Sequence, residues 1–420
     1  MDSLITKIES QLATLPVPIA LQLPDGRRVA RPGFRVALAF TEWSMLTKLT
    51  TRQIGAIGEA YVEGRLQIEG AMRDLIGAAV GLLPDNPAET YPGFWGRLML
   101  RAKSRRSHTP GKVAAQIAFH YDVSDDFYAL WLDPQRVYSC AYYKTPDLTL
   151  AQAQEAKLDH ICRKLMLQPG ERFLDIGSGW GGLLLWAAEH YGADATGITL
   201  SKNQHAHVTK LIEEKGLQDR VRVELRDYRE LDIRQPFDKI ASVGMFEHVG
   251  SANMAPYFKK IYSLLAPSGL VMNHGITSGR LDYHQLGAGM GDFIEKFIFP
   301  GGELLHVTKV LRETAAAGLE MVDTENLRPH YARTLWAWSD ALEAQLDLAR
   351  DVLARSSGVA NAERVLRAYR LYLAGSAMSF EQGWISLHQM LSTRPDGKVA
   401  VRTLHGAQTS YPFVREYMYP

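Results

Sequence analysis

The chain is expected to be an α/β protein built on a doubly wound parallel sheet, and three observations carry that expectation. Extended and helical segments alternate between about 150 and 277, and a glycine-rich turn follows the first extended segment. The length of 420 residues also exceeds what one ordinary core encloses, so a second, smaller unit should accompany the sheet.

The sheet region opens with a helix whose apolar face is Leu158, Ile161, Cys162 and Leu165. The segments ERFLDIG, ADATGITL, RVRVELRD, DKIASVGM and GLVMNHGI then read as strands. Helices fit between them as GGLLLWAAEHYG, SKNQHAHVTKLIEEKG and NMAPYFKKIYSLLAPSG, each closing on a glycine. After 280 the pattern becomes mostly helical with aromatic anchors, through LWAWSDALEAQL and ERVLRAYRLYLAGSAMSFEQGW, and suits a cover over the open end of the sheet. The N-terminal stretch reads as a small mixed unit with an amphipathic start, a strand around Phe34 to Phe40 and the segment VEGRLQIEGAMRDLI at 62–76. Between 97 and 112, RLMLRAKSRRSHTPGK carries six Lys/Arg and no acid. It is either a solvated linker or a basic hinge on an anionic membrane surface, where each cation contributes about 1 kcal/mol.

Composition narrows the function classes. Lysine and arginine number 47 against 46 acids, a balance that argues against a general nucleic-acid binder. The two cysteines, Cys140 and Cys162, have neither metal-ligand nor disulfide-framework spacing, so no metal site is expected and a reducing, cytoplasmic compartment fits. The start MDSLITKIESQLATLPVPIA has no export pattern and no stretch of 18 uninterrupted apolar residues occurs elsewhere, so the chain is expected to be neither exported nor membrane-spanning.

The strand FLDIG leads into SGWGG, which places Asp175, Gly177, Gly179, Gly181 and Gly182 at a strand-to-helix turn where the backbone must approach a ligand closely. A dinucleotide enzyme would carry an acid about 20 positions on, at the end of the second strand. That strand ends Gly197-Ile198-Thr199, so S-adenosylmethionine is the better match and NAD the weaker one.

Six separated motifs add to this turn: HYDVSDDFYALWLD at 120–133, YSCAYY at 138–143, LDIGSGWGG at 174–182, GITLSKNQ at 197–204, RDYREL at 226–231 and GMFEHVG at 244–250. Together they resemble the family of cyclopropane-fatty-acyl-phospholipid synthases and mycolic acid cyclopropane synthases, across nearly the whole length. The resemblance implies a Rossmann-like class I methyltransferase sheet with a helical cover at 113–420, a basic hinge at 97–112 and a small lipid-interacting N-terminal domain at 1–96. The N-terminal extension, with its VEGRLQIEG segment, is similar to that of the phospholipid-modifying members.

By the same resemblance, Tyr138 and Ser139 hold the methionine end of S-adenosylmethionine with Gly177 and Gly179. Thr199 and Gln204 contact its ribose, and Asp227 with Tyr228 frames the adenine. A bound bicarbonate is implied as the base, held by residues matching Cys140, Glu247, His274 and Tyr331. Singly, Cys140, His274 and Tyr331 each read as ordinary core residues, whereas Glu247 in GMFEHVG falls at the carboxyl end of a strand, where doubly wound sheets bind ligands. Ser376 stands where relatives often have cysteine, and Val322 where some phospholipid enzymes have glutamate.

The expected activity is transfer of a methylene from S-adenosylmethionine to the cis double bond of an unsaturated phospholipid acyl chain. A lipid C-methyltransferase giving methyl-branched or methyl-unsaturated chains has nearly the same motifs, and a silent lipid-binding protein of the same fold is an alternative of another class. A homodimer, peripheral on the inner face of the membrane, is the family expectation.

Overall fold

The computed structural model describes residues 2–83, 87–90, 104, 124–232, 234–281, 283–396, 411, 412 and 414–419. All but Ser104 of the basic segment 97–112, and residues 120–123 of the first motif, lie outside the described residues.

The N-terminal unit runs α1 (Asp2–Thr14), β1 (Ile19–Gln22), β2 (Arg28–Ala30), β3 (Val36–Phe40), α2 (Trp43–Thr50), α3 (Ile54–Val62), β4 (Leu66–Glu69) and α4 (Met72–Leu82). Its four strands form a separate sheet in the order β2-β1-β3-β4. Val36, Leu38 and Phe40 alternate inward along β3, as a half-buried strand requires, and meet Leu12, Leu21 and Leu46 in a core of their own. A short strand β5 (Ala88–Thr90) then pairs antiparallel with β11 (Tyr283–Leu286), stitching the following chain to the larger unit.

The larger unit begins at α5 (Asp125–Trp131), whose first turn Ser124 caps by accepting from the Phe127 N–H, and α6 (Leu150–Lys164), which starts in a capping box of Thr149 and Gln152. The sheet follows as β6 (Arg172–Ile176), α7 (Gly182–Tyr191), β7 (Asp194–Thr199), α8 (Lys202–Glu214), β8 (Val221–Leu225), β9 (Phe237–Val243), α9 (Met254–Leu264) and β10 (Leu265–Ser278). The cover comprises α10 (Met290–Phe297), β12 (Leu305–His306), α11 (Val307–Ala316), β13 (Glu320–Asn326), α12 (Arg328–Glu343), α13 (Leu346–Ser357), α14 (Val359–Glu381) and β14 (Ile385–Thr393).

The five expected strands are present and parallel, but the sheet is mixed rather than purely parallel. Its order is β13-β14-β10-β9-β6-β7-β8, and β14 runs antiparallel to both its neighbours. The two added strands lie in the region read as mostly helical. β14 buries Ser386, Gln389, Ser392 and Thr393 among its apolar residues, so it shows no inside-outside alternation, and two acids of β13, Asp323 and Glu325, pair with the buried Lys164. The fourth expected helix ends at Leu264 instead of running to Gly269, because Leu265 already pairs with Phe237 of β9.

Candidate active site

The turn after β6 is where a ligand can come closest to the backbone. Gly179 holds φ +54, and a Cβ built there would meet nothing within 4 Å, so its open side faces the cavity. That cavity, with about 1190 Å³ of empty space including its mouth, is lined by Tyr138, Ser139, Asp175, Gly177, Gly179, Thr199, Gln204, Asp227 and Tyr228. Gly181, the remaining cofactor residue expected from the sequence, does not line it. It caps α7 and packs against Val208 of α8.

The loop 137–141 is held from behind by α6. The Gln154 amide donates to the carbonyls of Val137 at 3.1 Å and Ser139 at 2.9 Å. The Tyr138 hydroxyl donates to that of Tyr372 at 3.1 Å, and its ring packs among Tyr128, Trp131 and Trp338.

Lys157, which sequence reasoning missed, is fully buried at the same wall and donates to Ser139 Oγ at 2.8 Å. Burial draws its pKa down to about 8 against the opposing charges of Asp133 and Asp175. Asp175 is likewise enclosed, and burial raises it to about 7 despite Lys157. An anionic ligand group at Ser139 would supply the charge partner this lysine lacks: among the described residues it forms no ion pair within 4 Å. The signal was available, since Lys157 stands four residues before Ile161 on the apolar stripe of α6.

The far end of the cavity is polar and preset. Thr199 donates its hydroxyl to Gln204 Oε1 at 2.8 Å, which ties the two expected ribose contacts to each other. Asp227 accepts from the Arg229 N–H at 2.9 Å and pairs with the Arg229 side chain. Burial raises its carboxyl, but these hydrogen bonds prevail and keep it below its ordinary range, hence ionised. The Tyr228 ring stands edge-on to Tyr257 at 5.4 Å between centroids.

The four residues expected around a bicarbonate lie deeper, outside the lining of that cavity. Cys140 is fully buried, its thiol donates to the Ala141 carbonyl at 3.2 Å, and burial pushes its pKa far up, so it stays a thiol. Tyr331 shares the same apolar cluster, with its ring 4.7 Å from Phe380. Glu247 lies in the 3-10 turn Phe246–His248 after β9 and accepts from the Ile276 N–H at 2.6 Å; burial pushes it up to about 7. Gly275 makes this approach possible, because a Cβ there would meet the Phe246 ring at 2.2 Å and Glu247 Oε1 at 2.9 Å.

His274 occupies the middle of β10, fully buried, with neither ring nitrogen hydrogen-bonded among the described residues. Burial, and then the charges of Lys157 and Lys164, hold it well below its ordinary range and therefore neutral. Its direct partner on β14 is Gln389, whose side-chain oxygen and nitrogen are also buried without partners among the described residues. Registered antiparallel partners share a sheet face, so these four polar atoms lie together where nothing described satisfies them. Gln389 escaped sequence reasoning because its strand did. Glu247 Oε2 is also buried without a partner among the described residues, on the Gly275 side of β10. Of the two departures, Val322 is buried in the core with Leu391, and Ser376 lines a second, apolar cavity.

The chain matches the family described as Mycolic acid cyclopropane synthetase over residues 108–390. It is 42% identical over 419 residues to a Pseudomonas putida protein named "Probable fatty acid methyltransferase", covering 99% of this chain and 100% of that one. It is 38% identical over 283 residues to cyclopropane mycolic acid synthase 1 of Mycobacterium tuberculosis (strain CDC 1551 / Oshkosh), covering 66% of this chain and 95% of that one. Among solved structures it resembles mycolic acid cyclopropane synthase CmaA1 complexed with SAH and CTAB, with a TM-score of 0.60 and 36% identity over 67% of this chain and 98% of that one. With the glycine turn, the Ser139–Lys157 wall and the Thr199–Gln204 pair arranged around one cavity, the chain belongs to the mycolic acid cyclopropane synthetase family and is an S-adenosylmethionine-dependent methyltransferase.

Proposed function

We propose that the protein is a cyclopropane-fatty-acyl-phospholipid synthase, which methylates the cis double bond of an unsaturated phospholipid acyl chain and closes the product to a ring. The observation that carries this reading is the registered pair His274 and Gln389, whose buried side-chain polar atoms have no partner among the described residues, in a molecule whose first cavity adjoins an aromatic cluster. A transferase for an exposed oxygen or nitrogen has no use for such a pair.

An isolated alkene is a weak nucleophile, so it must be held against the methyl donor in a dry, apolar place. Tyr138, Tyr128, Trp131 and Trp338 exclude water there, and their ring faces favour the positive charge that methyl transfer leaves on carbon. A bicarbonate bound near His274 would supply the base that takes a proton from the added methyl group. The residues fit such an anion: neutral His274 and the Gln389 amide offer donors, and Glu247, near 7, holds a proton part of the time. Cys140 remains protonated and orients the loop.

A phospholipid substrate is supported by the likeness that runs through the N-terminal unit to the P. putida protein, whereas the mycobacterial synthase covers only 66% of this chain. We assign residues 1–96 to lipid contact, 97–112 to an anionic membrane surface as a basic hinge, and 113–420 to catalysis, in a cytoplasmic homodimer peripheral on the inner face of the membrane. Among the described residues no helix is long and apolar enough to cross a membrane. The name of the P. putida protein favours one second reading, a C-methyltransferase that leaves a methyl-branched or methyl-unsaturated chain.

Incubation of the purified protein with S-adenosylmethionine and vesicles of a cis-monounsaturated phospholipid, read by mass spectrometry and proton NMR, tests the proposal. Upfield ring protons with loss of the olefinic signal are expected. A methyl doublet or a retained olefin at the same mass gain supports the second reading, and no gain on any lipid rejects both.

A further inference from the structure

We infer that the N-terminal unit and the helical cover together enclose the part of the acyl chain that lies beyond the double bond, in a second cavity that gauges its length. The inference rests on the proposed function. This cavity holds about 1050 Å³ of empty space including its mouth, and it lies at the seam between the two units. Leu38, Leu66 and Leu75 wall it from the N-terminal side, and Phe293, Leu371 and Tyr372 from the cover.

Its chemistry admits hydrocarbon and little else. No charged side chain lines it among the described residues, and its polar groups are hydroxyls of tyrosine and serine. The Tyr61 hydroxyl is already bonded by Arg370 at 2.5 Å, and Ser379 donates to its own helix at Gly375 O. A headgroup or ester would be stranded there, so the methyl end of a chain is the occupant.

Two features join this space to the reaction. Tyr372 lines it and accepts a hydrogen bond from Tyr138, which lines the cofactor cavity, so this tyrosine pair is the partition between the two. Gly375 stands inside the 23-residue helix α14, where glycine is an unfavourable choice, and a Cβ built on it would meet nothing within 4 Å. A side chain would fit there without touching its neighbours, and its absence leaves the cavity open. The N-terminal wall lies outside the family match at 108–390, so the gauge belongs to members that carry this unit.

The test uses the full chain with S-adenosylhomocysteine and phosphatidylglycerol vesicles in which the oleoyl chain carries a diazirine at its methyl end. After photolysis, label is expected on peptides of both walls, within 54–83 on one side and within 286–294 or 371–379 on the other. Label confined to other segments overturns the inference while leaving turnover of unlabelled lipid, and hence the proposed function, intact. A wild-type protein that converts no lipid overturns both. As a second readout, Gly375→Leu, or Ala79→Phe on the opposite wall, should lower the kcat/KM ratio of oleoyl over myristoleoyl chains at least tenfold, since each methylene kept from water is worth about fourfold. An unchanged ratio in variants that still bind S-adenosylhomocysteine rejects the cavity as an acyl site.

Discussion

Lys157 and Glu247 show how burial sets chemistry at single residues. Below about pH 8 Lys157 is an ammonium that donates to Ser139 Oγ, which leaves the Ser139 hydroxyl, at the wall of the first cavity, free to donate to a ligand. Lys157→Met should weaken S-adenosylhomocysteine binding by about 10- to 100-fold, the scale of a charge-assisted hydrogen bond, and leave 5′-methylthioadenosine, which lacks the amino-acid end, unchanged. In calorimetry, equal losses for the two ligands would contradict the assignment. Glu247 has a folded pKa of about 7 against 4.5 for the free group. The folded state therefore binds its proton more tightly, and stability present below pH 4.5 is lost as pH rises through 7, at a cost of about 3 kcal/mol. Glu247→Gln should raise the melting temperature at pH 8, lose that gain below pH 4.5, and abolish turnover with cofactor binding kept; a lower melting point at pH 8 would contradict this. The sequence made Glu247 legible through its place at a strand end, and Asp175 and the glycines through their turn. Lys157 was missed because a lysine in AQAQEAKLDH reads as solvated unless its spacing from Ile161 on the apolar stripe is weighed; the helix is buried on that side.

At the scale of elements, α6 is docked to β13 by charge as well as by apolar packing. Lys164, with no exposed side-chain surface, lies 2.5 Å from Glu325 and 3.2 Å from Asp323, and His160 lies 2.8 Å from the same Glu325 oxygen. Burial raises the Glu325 pKa, but the His160 hydrogen bond and the Lys164 charge outweigh it and bring it down to about 2. Its stabilising contribution is thus present above pH 4.5 and lost as pH falls through 2. Glu325→Gln should cost about 3 kcal/mol at neutral pH, because it removes one partner of a buried cation, and the difference should shrink below pH 4.5. An unchanged urea midpoint at pH 7 would contradict that. The same cluster explains what was illegible in the fold. EMVDTEN does not read as a strand because two of its acids, Asp323 and Glu325, answer Lys164 in a distant helix, and ISLHQMLST does not because its polar residues are buried. The strands from β6 to β10 were legible because their runs are apolar and bounded by glycine turns.

Over the whole molecule, the N-terminal unit is held to the cover by a few directed contacts. Arg370 grips Glu343 with two nitrogens and Tyr61 with the third, and Arg367 donates to Tyr61 O at 2.9 Å and to Gln67 at 3.0 Å. The second cavity forms only where these units meet, from segments about 200 residues or more apart, so local pattern could not disclose it. The first cavity was legible as a cavity because most of the residues expected to line it sit in short motifs around one sheet end. The central claim is that the molecule as a whole converts a methyl group into a ring carbon. It is tested most directly by supplying S-adenosylmethionine with a trideuterated methyl group to the wild-type protein on oleoyl phosphatidylglycerol vesicles. A cyclopropane that keeps two of the three deuterons, with none of the olefin left in the product, is the result this account predicts; a chain that keeps all three as a methyl branch would contradict it.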